Sequence, residues 1–210
     1  MKTTITKYVF LALVLSSMLS GRAFSAPVLI DFDDRQGLVC PCLDGSPVPA
    51  QFIVNDEYLA YGVSFDSPGG GVFLGAGTNP ITAPNAAAGT AFGPIIDFSV
   101  PGSAIFSIDG NPAVVDFVQL TITSTSWPST LSAFDTNGEF LGSVSGGMLD
   151  NLRLNFSGRI HSVILSSPRV AFDNFIFDGL SPVPEPSACV LISVGLVIIS
   201  VRWTYTNYRT

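Results

Sequence analysis

Apolar and polar residues alternate along most of the chain between residues 27 and 179, and this pattern predicts β-strands. In the stretch FVQLTITS, one alternating set is expected to face a core and the other to face water. The first set is Val118, Leu120 and Ile122, and the second is Gln119, Thr121 and Thr123. Helical periodicity is absent, and Gly, Pro, Asn and Asp separate the apolar runs.

The pattern predicts eleven short strands, at residues 28–32, 59–65, 71–74, 95–100, 104–108, 113–123, 130–135, 140–144, 152–156, 160–166 and 170–177. The clearest hairpin is AFDTNGEFLGSV, where Asn137 and Gly138 are expected to supply the positive φ angles of a tight turn. Strands of this number and spacing indicate an all-β fold, a β-sandwich, over residues 26–180.

Charged residues make up 12% of the chain and are unevenly distributed. Both lysines lie within the first seven residues. Residues 26–201 contain four arginines against sixteen acidic residues, a formal charge of −12. Such a surface repels phosphate backbones, so we expect no nucleic-acid partner, and cations are the more natural ligands.

The N-terminus has the layout of a secretory signal peptide, which we assign to residues 1–25. Lys2 and Lys7 precede an apolar stretch at residues 8–15, and small residues follow in SGRAFSAPV. Cleavage after Ser25 or after Ala23 fits the preference of signal peptidase for small side chains.

The C-terminus contains an uncharged apolar run at residues 188–201. A helix of that length spans about 21 Å at ~1.5 Å per residue, against about 30 Å for a bilayer core. Arg202 and Trp203 extend it, because Arg reaches toward water and Trp favours the interface. We therefore predict a short transmembrane helix within 188–210, held away from the domain by a Pro-rich linker at 181–187.

The linker residues Val183, Pro184, Glu185 and Pro186, followed by an apolar segment and late arginines, resemble the PEP-CTERM sorting signal of Gram-negative bacteria. The resemblance implies recognition by exosortase, an integral-membrane protease. It also implies export through an inner-membrane intermediate to the cell surface or the extracellular matrix.

The segments VLIDFDD, EYLAYGVSFDS, LSAFDTNGEFLGSVS and RIHSVILSSPRVAFDNFIFDGL occur in an order that resembles jelly-roll ectodomains of PEP-CTERM proteins. Those domains are similar to galactose-binding-like carbohydrate-binding modules, which implies an antiparallel jelly roll. In such modules a structural Ca²⁺ ion often joins the first and last strands. The resemblance assigns Asp31, Asp33 and Asp173 to it, completed by Asn174 or backbone carbonyls. The alternative is that these are solvated carboxylates at strand edges.

Carbohydrate-binding modules usually stack sugar rings on exposed aromatic side chains, and our leading hypothesis is a glycan ligand such as an exopolysaccharide. Tyr58, Tyr61 and Trp127 are the candidates. The alternative for each is a packed structural aromatic residue.

Cys40 and Cys42 flank Pro41 and, after export, would lie in an oxidising compartment. Three states stay open: a disulfide within the turn, pairing between molecules, and two free thiols. A Cys-Pro-Cys pair lacks the further ligands that zinc requires.

Catalytic motifs are weak, and we predict a non-enzymatic protein. His161 is the only histidine, and no Gly-x-Ser-x-Gly elbow occurs. Asp97, Asp109 and Asp116 lie in or beside predicted strands, where capping or solvated roles are usual. Two alternatives remain: a purely structural or adhesive matrix protein, and a glycoside hydrolase or lyase acting on polysaccharide.

Overall fold

The structure is a computed structural model that describes residues 26–39, 45, 47–76, 85–91, 95–97, 99–125, 128–166 and 170–183. Within these ranges the chain is all-β, which confirms the predicted class. The strands are β1 Val28–Ile30, β2 Leu38–Val39, β3 Ile53–Val54, β4 Val63–Asp66, β5 Val72–Ala76, β6 Asn85–Ala88, β7 Thr90–Ala91, β8 Ile95–Ile96, β9 Gly102–Ile108, β10 Asn111–Thr125, β11 Ser129–Phe134, β12 Phe140–Gly146, β13 Asn151–Ile160, β14 Ser162–Ser166, β15 Val170–Asp178 and β16 Ser181–Pro182. Two 3₁₀ turns occupy Ala50–Phe52 and Leu59–Tyr61.

Fourteen of these strands form one connected mixed sheet, in which two groups can be distinguished. The first group has the order β13-β10-β15, with β1 and β6 on the far edge of β15 and β5 beyond β6. The second group has the order β12-β11-β14-β9-β4. The β9–β10 hairpin joins the groups through Asp109 and Gly110, whose φ angles of 51° and 77° suit a two-residue turn.

Aromatic side chains from both groups meet in a shared core. The Phe175 ring on β15 lies 5.2 Å from the Phe65 ring on β4 and 6.3 Å from the Phe106 ring on β9, measured between centroids. Phe106 also lies 5.1 Å from Phe177. The two groups therefore pack face to face, as in a β-sandwich. A void of about 10 Å³ between them is lined by apolar side chains such as Leu120.

A second apolar cluster covers the other face of the first group. It contains Val48, Phe73, Ala86, Ala88 and Ala171, with Leu38, Phe52 and Ile53 packed against it. Ala87 points instead into the main core. Strand β6 is thus buried on both faces, and small side chains fit there.

Strand β15 contains an extra residue beside β10. Gln119 and Thr121 of β10 are two positions apart, and their partners in β15, Ile176 and Asp173, are three positions apart. Asn174 lies in this bulge with a left-handed φ of 49°. Because of the extra residue, Phe172 and Phe175 are both buried in the core although they are three positions apart.

Three predictions of local structure need correction. The predicted strand 59–65 begins with the 3₁₀ turn Leu59–Tyr61, and Gly62, at φ 88°, ends this turn before β4. The predicted strand 95–100 is limited to β8, because Val100 donates a turn hydrogen bond to Asp97. In the turn between β11 and β12, residues 135–139, only Gly138 has a positive φ, 77°, so Asn137 does not share that role.

The side chains of β10 follow the predicted alternation on one face only. Val118, Leu120 and Ile122 are buried, as expected. Thr121 and Thr123 are also buried, contrary to the prediction that they face water. The Thr121 hydroxyl donates to Asn151 Oδ1 at 2.6 Å, and this bond satisfies it away from solvent.

Candidate functional site

Strands β1 and β6 lie end to end along the same edge of β15. Ile30 pairs with Phe175, and Ala87 pairs with Phe172. The two residues of β15 between these pairs are Asp173 and Asn174. They face the point where the loop after β1 meets the start of β6. We call residues 31–35, Asn85, Asp173 and Asn174 the acidic junction.

The loop after β1 is anchored by Phe32. This residue has a left-handed φ of 62° and is fully buried. Its ring centroid lies 5.3 Å from that of Phe65 and 5.8 Å from those of Tyr58 and Phe172. Burial of the ring fixes the backbone that carries the neighbouring carboxylates.

Asn85, the first residue of β6, holds this loop from the other side. Its Nδ2 donates to the carbonyl oxygens of Phe32 at 2.9 Å and Arg35 at 2.7 Å. Its backbone N–H donates to Asp33 Oδ1 at 3.1 Å. Its Oδ1 is buried and has no hydrogen-bond partner in the structure. A buried oxygen of this kind is costly unless something else binds it.

The three predicted calcium ligands all lie at the acidic junction. Asp31 Oδ1 accepts the backbone N–H of Asp33 at 3.2 Å, and Asp173, fully buried, accepts that of Asn174 at 2.6 Å. Yet no three His, Cys, Asp or Glu side chains in the described part of the chain are grouped to hold a metal ion. A Ca²⁺ site here therefore needs amide and carbonyl oxygens as well, and Asn85 Oδ1 fits that requirement.

Tyr58 is a core residue with one polar contact. It is 3% exposed, and its ring packs against Phe32 and Phe65. Its hydroxyl donates to Asp34 Oδ1 at 2.6 Å. Burial raises the pKa of the Tyr58 hydroxyl far above its usual value, and the bond to Asp34 raises it further. The faces of this ring are unavailable to a sugar.

Tyr61 is the exposed aromatic residue of this region. It is 54% exposed, in the 3₁₀ turn that precedes β4, and its centroid lies 6.3 Å from that of Tyr58. Leu59 in the same turn is also exposed. The third candidate, Trp127, lies outside the described residues.

The residues considered for catalysis have structural contacts. His161 Nδ1 lies 2.8 Å from the carbonyl oxygen of Ala113. Asp97 Oδ1 accepts the backbone N–H of Ser99, and Asp109 forms the β9–β10 turn. The Asp116 carboxylate lies against Gly179.

Several predictions concern residues that the structure does not describe. They are the signal peptide, Cys40 and Cys42, residues Pro184, Glu185 and Pro186 of the sorting motif, and the membrane helix. Val183 is described, and its backbone N–H donates to the carbonyl oxygen of Pro112 at 3.3 Å. Among the described residues, no helix is long and apolar enough to cross a membrane.

Sequence reasoning missed Asn85. It precedes three alanines, which do not produce the alternation by which the other strands were predicted. The signal that was present is an isolated amide before an apolar segment. Its pairing with a loop some fifty residues away is visible only in the folded chain.

No family model and no curated protein sequence matches this chain. Among solved structures, the chain is similar to the enzymatically active domain of bacteriophage CBA120 tailspike protein 4. The similarity has 12% sequence identity and a TM-score of 0.30. It covers 64% of this chain, which spans 22% of the tailspike chain. A likeness of this size leaves the family of the chain open.

Proposed function

We propose that this chain is an exported surface or matrix protein whose jelly-roll β-sandwich binds carbohydrate without catalysing a reaction. The observation that carries the proposal is the exposed ring of Tyr61, whose neighbour Tyr58 is hydrogen-bonded to Asp34 of the acidic junction. An aromatic ring offers a face for the C–H groups of a pyranose, and nearby polar groups orient its hydroxyls. Asp34 and Glu57, both exposed, are such polar groups.

The jelly-roll assignment is supported by two opposed strand groups with a common core, crossed by long connections. Strand β9 pairs with β14 and β4, and β10 pairs with β13 and β15. Such nonsequential neighbours are typical of Greek-key connections.

Export is supported by the position of the sorting motif. Val183, whose N–H bonds to Pro112, directly precedes Pro184. The motif thus begins at the residue that makes this backbone contact with the described domain. An exosortase-type protease would act directly after that domain. Mass spectrometry of both termini, on protein from separated membrane, matrix and medium fractions, tests the sorting. Uncleaved protein retained in the inner membrane would contradict it.

A structural calcium ion at the acidic junction belongs to the same proposal. Asp31, Asp33 and Asp173 are the proposed carboxylate ligands, which the ion would have to draw closer together than they lie in the described structure. Asn85, whose backbone N–H donates to Asp33, offers a buried amide oxygen as a further ligand. The ion would neutralise part of the acidic surface and hold β1, β6 and β15 together.

Glycan-array binding tests the carbohydrate function. We expect Tyr61→Ala to lower binding about tenfold, about 1.4 kcal/mol. Met148→Ala, which truncates another residue that is 54% exposed, is the matched control and leaves binding unchanged. If the unaltered protein binds no glycan, the alternative of a structural or adhesive matrix protein is favoured.

A further inference from the structure

The outer face of the second strand group consists of short hydroxyl side chains and a few apolar ones. Along β11 every second residue is buried, which leaves Thr130, Ser132 and Phe134 on the outer side. The same alternation on β14 leaves Ser162 and Ile164 outside.

The strand registers align these outer residues in rows. One row is Ser143, Ser132, Ile164, Ser103 and Asp66. The next row is Phe140, Phe134, Ser162, Ile105 and Ser64. A third, shorter row is Ser145, Thr130 and Ser166. We call these three rows the serine face.

The serine face differs from the rest of the molecule in charge. Its rows contain one charged side chain, Asp66, on the outermost strand β4. Residues 26–201 as a whole carry a formal charge of −12. The net negative charge of the protein repels an anionic polymer. A cationic polymer would have only one carboxylate on this face, that of Asp66, with which to pair. The occupant that suits this charge pattern is uncharged.

The chemistry of the face combines hydroxyls with apolar surface. Ile105, Ile164, Phe134 and Phe140 belong to neither core cluster, and Phe140 is 61% exposed. The ring centroids of Phe134 and Phe140 lie 5.9 Å apart.

The hydroxyls of the face are only partly used within the protein. The Thr130 and Ser145 hydroxyls lie 2.8 Å apart, within hydrogen-bonding distance of each other. Ser132 and Ser143 form no side-chain hydrogen bond with another described residue. Free hydroxyls beside apolar side chains complement a sugar, which has apolar C–H faces and a hydroxyl edge.

The size of the face argues against a second copy of the chain as its occupant. Five strands spaced by about 4.8 Å span about 19 Å, and three rows spaced by about 7 Å span about 14 Å along the strands. The resulting area of roughly 270 Å² is about a third of the ~800 Å² per partner in a stable protein complex. A polymer needs no minimum area per molecule, since several sugar units and several protein copies add their contacts.

We propose that the serine face binds an extended, uncharged polysaccharide chain. This inference rests on the proposed carbohydrate-binding function and names its ligand class. Tyr61 lies two residues before β4, the border strand of the face. A short oligosaccharide thus depends on Tyr61 alone, and a long chain depends on Tyr61 and the serine face.

The test is affinity gel electrophoresis of the full-length protein in a polyoxyethylene detergent, which carries no sugar. The probes are dextran, galactomannan and hydroxyethylcellulose, their short oligosaccharides as competitors, and alginate as the anionic control. Ser132→Arg and Ser143→Arg each place a large charge on the face. Ser157→Arg, on the exposed side of β13, is the matched control.

We expect Ser132→Arg and Ser143→Arg to lower the affinity for a retarding neutral polymer at least tenfold, with unchanged melting temperatures and unchanged competition by short oligosaccharides. Ser157→Arg should behave as the unaltered protein does.

Polymer binding that survives both face variants but is lost in Tyr61→Ala overturns the inference and leaves the proposed function standing. Preferential binding of alginate, or a dimer abolished by Ser132→Arg, also overturns it. Absence of binding to every glycan refutes the proposed function itself.

Discussion

Phe32 combines an unfavourable backbone conformation with complete burial. A left-handed φ costs a non-glycine residue about 1–3 kcal/mol, and burial of a Phe side chain contributes about 1.5–3 kcal/mol in return. Asn174 has the same backbone conformation on the opposite strand. Two of the four described non-glycine residues with a positive φ therefore lie at the acidic junction, and the other two, Asp109 and Leu149, lie in turns between strands.

Asn85→Ala should destabilise the protein by about 1–3 kcal/mol, because the buried carbonyl oxygen of Phe32 and the partly buried one of Arg35 lose their donor. Denaturant unfolding measures this loss. Asn137→Ala is the control, since Asn137 is exposed and its hydrogen-bond contacts with Asp135 are open to solvent. Equal stability of the two variants would show that Asn85 does not hold the loop.

Asp135 gives a pH-dependent contribution to stability. Hydrogen bonds from the backbone N–H groups of Glu139, at 2.9 Å, and Asn137, at 2.8 Å, lower the pKa of its carboxyl. A lowered folded-state pKa means that the contribution is present above the unfolded value of about 4 and is lost as the pH falls through the folded value. The difference in melting temperature between the unaltered protein and Asp135→Ala should therefore be constant from pH 5 to 8 and shrink below about pH 4. A difference that grows on acidification would contradict this.

At the scale of elements, β6 and β15 show where alternation stops being informative. Strand β6 is buried on both faces, so its residues Ala86, Ala87 and Ala88 show no alternation. Alanine is also depleted in strands, and the segment was missed. Strand β15 was predicted, but its bulge was not. Phe172 and Phe175 are three positions apart, whereas Phe175 and Phe177 are two apart, so the apolar residues do not follow one regular period.

Asn174→Val should destabilise the protein by about 1–3 kcal/mol. Asn174 lies in the bulge with a left-handed φ of 49°, a conformation that a β-branched residue adopts only with strain. Asn174→Gly tolerates the left-handed φ, so it should change the free energy of unfolding by less than about 1 kcal/mol. Denaturant unfolding compares the two variants, and equal stabilities would show that the bulge does not depend on this backbone conformation.

At the scale of the whole molecule, the acidic junction ties strands from distant parts of the sequence. It joins the loop after β1, the start of β6 and the bulge of β15. A cation there would act on the folded chain alone, because the unfolded chain does not assemble these oxygens.

Calcium at 100 times its dissociation constant should raise the free energy of unfolding by about 2.7 kcal/mol. Thermal melts with calcium and with chelator measure this gain. Asp33→Ala should abolish it, and Asp66→Ala, on β4 away from the junction, should retain it. Equal melting temperatures with calcium and chelator would remove Asp31, Asp33 and Asp173 as a shared site.

Local chemistry explains which features were predictable. The structure contains three features that follow from neighbouring residues: the buried apolar set of β10, the alternation along β11 and the glycine turn at Gly138. The burial of Tyr58 was not predictable, because nothing nearby in sequence indicates that Phe32 and Phe65 enclose its ring.

By itself the sequence determined the all-β class and the acidic character of the chain, because strand alternation, turn residues and charge are properties of local stretches. The export signals at both ends remain predictions of the same local kind. The tertiary structure alone decided that Asn85 meets the loop after β1, that β15 is bulged, and that hydroxyl residues from five strands form one face with a single charged side chain. These features depend on register between strands far apart in the chain, which is set by the packing of the whole core.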